Sequence, residues 1–169
     1  MRIVGIDPGY AIVGYGVVDH ANNRFRMCEY GAITTEAHTP FDRRLFDIDA
    51  GLNALLERAR PDALAIEKLY FNSNQKTAID VAQARGVCVL AAVKAGVPIF
   101  EYTPLQVKMS VVGYGRAEKK QVMEMTRILL GLEKVPRPDD AADALAIAIC
   151  HAHSASSRMS SAYLQNLGR

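Results

Sequence analysis

Three cysteines, no tryptophan and a charge close to balance leave few specialised chemistries open to this 169-residue chain. Cys28, Cys88 and Cys150 are odd in number, widely separated and in no CxxC spacing, so neither a disulfide framework nor a zinc-ligand pattern is indicated. A reduced, cytoplasmic setting is the expectation. No segment approaches the roughly 20 consecutive apolar residues of a membrane span. The N-terminus has no cationic lead before a long apolar stretch, so a soluble protein with no membrane partner is expected. The phosphate-cradling pattern GxxxxGK is missing, as is any internal repeat. The formal charge of +2 tolerates a polyanionic partner without demanding one.

What is present is apolar mass in ordered pieces. Half of the residues are apolar, enough for one compact domain with a sizeable core. Arg2–Asp7 reads as a short strand stopped by Pro8-Gly9. Ile12–Asp19 (IVGYGVVD) reads as a second, whose Gly14 and Gly16 strip one face of side chains. Phe25–Ile33 follows the Asn22-Asn23 turn as a third strand. The period then changes: Leu45, Ile48, Leu52, Leu55 and Leu56 recur at helical spacing until Arg60-Pro61. Ala63–Ile66 is a fourth, wholly apolar strand, which implies cover on both faces. Thr77–Ala95 is a long Ala-rich helix containing Gly86, and Ile99–Tyr102 a fifth strand. Thr103-Pro104 supplies an N-cap and a proline at the first helical position. A basic loop, GYGRAEKK, leads into a helix ending at Leu130, and DDAADALAIAICHAH starts a last helix near Asp139. Residues 1–153 form the expected domain; 154–169, with five serines and few apolar anchors, read as a flexible tail.

Two strands end on a carboxylate. Asp7 follows RIVGI and Glu67 follows ALAI, and ligands of α/β sheets gather beyond the carboxyl ends of strands. Asp140 and Asp143, three apart in the first turns of the last helix, project from nearly the same face. Taken singly, an Asp before Pro-Gly can simply shape a turn, and Asp139 or Asp140 can simply cap a helix. Asp143 and Glu67 resist that reading, because each adjoins an apolar run where an unpaired carboxylate is costly. Four carboxylates in one pocket would repel one another unless cations lay among them. Oxygen-only donors select Mg²⁺ or Mn²⁺, and paired ions of that kind support phosphodiester hydrolysis. Nucleic-acid hydrolysis is therefore the expected chemistry.

The basic residues are concentrated in one stretch. Residues 104–137 hold seven bases against three acids, and Lys108, Arg116, Lys119 and Lys120 lie around Gly-containing turns, where phosphate contacts are readily made. A solvated helix face would account for the same charges. Tyr70 and Phe71, with Asn74, occupy the polar segment KLYFNSNQK after Glu67, as core anchors or as platforms for unpaired bases. His20 and His38 read as loop residues, and none of the four histidines is assigned to catalysis.

Together these segments resemble the RuvC family of Holliday junction resolvases, bacterial members of the RNase H-like nuclease superfamily. GIDPG with GYGVV, IEKLYFNSNQ through AQARG, YTPLQVKMSVVGYGRAEKKQV and DDAADALAIAICHAH occur in family order and span nearly the whole domain. The resemblance implies an RNase H-like α/β fold with a five-stranded mixed sheet and helices on both faces. It implies a homodimer that nicks two opposed strands of a four-way DNA junction symmetrically, in homologous recombination and DNA repair. The family's catalytic, metal-binding acids fall on Asp7, Glu67, Asp140 and Asp143, with two Mg²⁺ per site and Mn²⁺ able to substitute. Its DNA-contacting lysines fall on Lys108 and Lys119, and its base wedge on Tyr70, where Phe is more frequent, with Phe71 adjoining. Asn74, Arg116 and Lys120 join them as DNA-contact candidates. The Thr77–Ala95 helix resembles the family's dimer-forming element, and cooperation with the RuvA and RuvB branch-migration proteins is also implied. The residues themselves leave two alternatives open: an RNase H-like nuclease acting on another nucleic acid, and a junction-binding protein that does not cut.

Overall fold

The structure, a computed structural model, describes residues 1–69 and 75–167, with side chains described for 1–69 and 77–156. In chain order the elements are β1 (Arg2–Asp7), β2 (Ile12–Ala21), β3 (Arg24–Thr34), α1 (Phe41–Ala59), β4 (Ala63–Glu67), α2 (Gln75–Lys94), β5 (Ile99–Tyr102), α3 (Pro104–Val112), α4 (Lys119–Leu129) and α5 (Asp139–Leu167). The sheet order is β3-β2-β1-β4-β5, antiparallel from β3 to β1 and parallel from β1 to β5. This is the five-stranded mixed sheet expected.

Local chemistry sets the connections. Asn22 and Asn23 both take positive φ (50° and 56°), the conformation a tight β2–β3 hairpin turn needs. Arg60 caps α1 in the left-handed region, its N–H bonding to the Leu56 carbonyl, and Pro61 follows. Thr103 opens α3 with a reciprocal capping box: its hydroxyl accepts from the Gln106 N–H at 3.1 Å, and the Gln106 side chain accepts from the Thr103 N–H at 2.8 Å.

The sheet has two unlike faces. Val4, Ile6, Val13, Val17, Leu64 and Ile66 pack under α1 and α2, against Ile48, Leu52, Leu55, Ala84, Cys88 and Ala91. Ile3, Val18 and Ala65 face the other way, towards α3, α4 and α5. On that side α5 lies directly on the strands. A Cβ at Gly14 would sit 2.1 Å from the Asp140 carbonyl oxygen, and one at Gly5 2.0 Å from that of Ala144. Only glycine permits backbone to approach so closely.

Two expectations need correction. His20 lies within β2, which extends to Ala21, and not in a loop. The last helix does not stop near His153 but continues to Leu167. No Gly or Pro interrupts 139–167. Ser154 and Ser156 also direct their hydroxyls back to the carbonyls of Cys150 and Ala152 (2.9 and 3.0 Å), so they sit within the helix without breaking it. Among the described residues no helix is long and apolar enough to cross a membrane.

Candidate functional site

β1 and β4 are parallel neighbours whose last paired residues are Ile6 and Ile66. Asp7 and Glu67, one step further on, therefore leave the sheet side by side. Because strand side chains alternate, both share the face of Gly5 and Ala65, the face that α5 covers. The bare backbone at Gly14 admits the first turn of α5, and Asp143 follows one turn later. Asp7, Glu67 and Asp143 thus line one cavity of about 170 Å³, together with Lys108 of α3 and Lys119 of α4. Val107, Val122 and Ile147 supply apolar wall.

Burial and mutual repulsion act on these acids together. The Asp7 carboxyl is pushed up to about 7, first by desolvation, then by the charges of Glu67, Asp143 and Asp140, with Lys119 opposing. Glu67 is raised by desolvation and by Asp143. Asp143 is also raised by desolvation, although Lys119 Nζ donates to its Oδ2 at 2.6 Å. Desolvation pulls the Lys119 ammonium down, but the Asp143 hydrogen bond and surrounding carboxylates leave it raised overall. The Lys119 ammonium thus serves several half-buried acids at once, and the site is under-neutralised.

Among the described residues no three acid, His or Cys side chains converge tightly enough to chelate an ion as they stand. The donor set nevertheless fits a hard divalent cation: all carboxylate oxygens, drawn from three elements, each raised by desolvation and by its acidic neighbours. Among the described residues no cysteine, methionine or histidine lines the cavity to favour zinc or copper.

The family described as Crossover junction endodeoxyribonuclease RuvC matches residues 3–151 of this chain. The chain belongs to the RuvC family. A crossover junction endodeoxyribonuclease RuvC from Caldanaerobacter subterraneus subsp. tengcongensis is 54% identical over 154 residues, 91% of this chain and 93% of that protein. One from Brevibacillus brevis is 59% identical over 152 residues, 90% and 92% of the two chains. The solved structure of T. thermophilus RuvC in complex with Holliday junction substrate superposes with a TM-score of 0.87 at 40% identity, covering 92% of this chain and 94% of that one. The mixed sheet flanked by helices is accordingly the RNase H-like architecture of RuvC.

In this RuvC-family chain the four acids do not stand alike. Asp7, Glu67 and Asp143 meet in the cavity, whereas Asp140 sits over Gly14 outside its lining, its charge still acting on Asp7 and Asp143. Lys108, half-buried, and Lys119 belong to the cavity; the exposed Lys120 joins Lys119 along an adjoining groove of about 970 Å³. Arg116 is exposed in the loop before α4 and lines neither hollow. Tyr70, Phe71 and Asn74 lie outside the described residues.

Two contributors, Gly5 and Arg85, and one core contact escape a reading of the sequence. Gly5, a lone glycine inside a strand pattern, signals the close backbone approach that α5 makes there. Tyr102 and His151, 49 residues apart, join by a 2.8 Å hydrogen bond in the core. Arg85, within the motif AQARG, reaches the main chain of Glu67, a contact no local spacing announces.

Proposed function

We propose that this chain is a divalent-metal-dependent crossover junction endodeoxyribonuclease, resolving four-way DNA junctions by paired symmetric nicks in recombination and repair. The observation that carries the reading is the cavity at the ends of β1 and β4, where Asp7, Glu67 and Asp143 face Lys108 and Lys119 in a RuvC-family fold. Asp7, whose carboxyl feels the charges of Glu67, Asp143 and Asp140, would hold two ions, Mg²⁺ or Mn²⁺, together with those three acids. When bound, such ions would lower the pKa of an attacking water and offset charge on the leaving 3′ oxygen. Lys119, now hydrogen-bonded to Asp143, would turn its ammonium to a substrate phosphate once other charge holds that carboxylate. Lys108 would hold the same strand from the α3 side, while the apolar walls exclude bulk water. The ends produced are a 5′-phosphate and a 3′-hydroxyl. Lys120 and Arg116 would contact flanking phosphates, and Tyr70 or Phe71, with Asn74, an unstacked base.

Paired cuts in a two-fold substrate call for a two-fold protein. The outward face of α2 supports a homodimer: Ile79, Leu90 and Val93 are 65%, 51% and 61% exposed. With Gln83 and Gly86 they repeat at alternating steps of four and three, the spacing of a helix-pairing seam. A Cβ at Gly86 would meet nothing within 4 Å, leaving room for a neighbouring backbone. Residues 1–153 form the nuclease unit. The enzyme would work in the cytoplasm with RuvA and RuvB.

The test is to incubate the protein with a labelled mobile junction, linear duplex and RNA:DNA hybrid, with and without Mg²⁺, beside Asp7→Asn. Paired nicks in the junction alone, dependent on Mg²⁺ and absent from a variant that still binds, are expected. Binding without nicks would make it a junction-binding protein, and preferential cutting of hybrid would move it to another substrate.

A further inference from the structure

The end of β4 is held from the opposite side of the sheet. Arg85 lies on α2, the helix covering the face away from α5, and its side chain is only 19% exposed. Its Nε donates to the main-chain oxygen of Glu67 at 3.0 Å, and its Nη2 pairs with the carboxylate of Glu101 on β5. One planar guanidinium therefore ties together the strand end that carries Glu67, the neighbouring strand and α2. The next residue continues the bracing: Lys68 N donates to the Tyr102 carbonyl at 2.8 Å, and its ammonium stands 3.8 Å from Glu101. A carbonyl at the last residue of a strand needs a donor, and here the carbonyl that Arg85 satisfies belongs to Glu67 itself, an acid of the cavity.

We infer that Arg85 is a positioning residue for Glu67. It fixes the backbone from which the carboxylate springs, and so sets where that carboxylate stands relative to Asp7 and Asp143. The inference rests on the metal-dependent reading of the cavity. Carboxylates that gather a cation must be held closely in place, and groups behind the ligands supply that constraint. Arg85 suits the task because its rigid fork bonds a carbonyl and a carboxylate at once; a lysine offers one flexible point charge and cannot span both with the same geometry.

The test compares wild type, Arg85→Gln and Arg85→Lys by Mn²⁺ binding in calorimetry without DNA, junction affinity in EDTA, cutting rate at saturating metal, and melting temperature. Arg85→Gln should bind Mn²⁺ about tenfold or more weakly and cut more slowly by a similar factor. Its junction affinity in EDTA should stay within about twofold of wild type, since phosphate contacts come from other residues. Arg85→Lys, which keeps a cation opposite Glu101, should melt like wild type yet share the loss of Mn²⁺ affinity. If Arg85→Gln does not fold, Arg85→Lys decides alone. Wild-type Mn²⁺ binding and cutting in the variants, or a lowered melting temperature with both intact below it, would overturn the inference while leaving the nuclease reading in place. A wild-type protein that neither binds Mn²⁺ nor cuts would overturn both.

Discussion

On the α1/α2 face, Val4, Ile6, Leu64 and Ile66 are fully buried among leucines, isoleucines and alanines. On the α5 face, the same two strands present Ile3, Gly5 and Asp7, and Ala65 and Glu67. Ile6 and Asp7 are chain neighbours, as are Ile66 and Glu67, so a single step along a strand separates hydrocarbon packing from repelling carboxylates. The two polar residues buried in the described part, Thr126 and His151, also lie on the α5 side. The difference teaches a division of labour. One face holds the strands in register, and that security lets the other keep under-neutralised acids and a helix seated on bare glycine.

If that division is right, substitutions on the two faces should fail in different ways. The largest loss of stability is expected from Ile66→Ala, which empties a site with no exposure. Urea unfolding should show about 2–5 kcal/mol lost, with the Mg²⁺ dependence of cutting by the folded fraction unchanged. Gly14→Ala comes next: the added carbon would fall 2.1 Å from the Asp140 carbonyl, and α5 must shift to admit it. The stability loss should be about 1–3 kcal/mol. Here cutting at saturating metal should also fall, by about 100-fold, because displaced catalytic groups are heavily penalised. If both variants lose stability but neither loses rate, the contrast between the faces disappears. Smallest is Tyr102→Phe, which removes the bond to His151 within the α5-side core. About 1 kcal/mol should be lost in unfolding, with no change in cutting.

Much of this contrast was legible in the residues. Asp7 and Glu67 ended apolar strands, the ALAIAI run after Asp143 marked a helix too apolar to tolerate a stray charge, and Gly14 with Gly16 announced a face stripped of side chains. The order of strands and helices along the chain followed from where the period changed. What stayed hidden were relations between distant segments. Lys119 meets Asp143 across 24 residues and Tyr102 meets His151 across 49, and neither pair has a spacing that helix or strand periodicity can reveal. The unequal placement of Asp140 and Asp143 was invisible because it depends on how far α5 slides over Gly14. The length of α5 exceeds what its composition suggests: serines favour a loose tail, but within a helix their hydroxyls can bond back to carbonyls.

The acid cavity costs stability as long as no cation offsets its charge. Asp7 has an ordinary value of 3.8 and is pushed up to about 7 in the folded chain. Below the lower value both states hold the proton and nothing is lost. Between the two the unfolded chain ionises first, so stability drains away as pH rises, and above about 7 the loss is constant. Melting wild type and Asp7→Asn in EDTA from about pH 4 to about pH 8, and again with Mg²⁺, tests this directly. The variant should gain nothing at the acid end, become more stable than wild type by an amount on the order of a few kcal/mol at the alkaline end, and lose that advantage in Mg²⁺, which should raise only the wild type. An Asp7→Asn protein no more stable than wild type at the alkaline end in EDTA, or one that Mg²⁺ stabilises equally, would contradict the account.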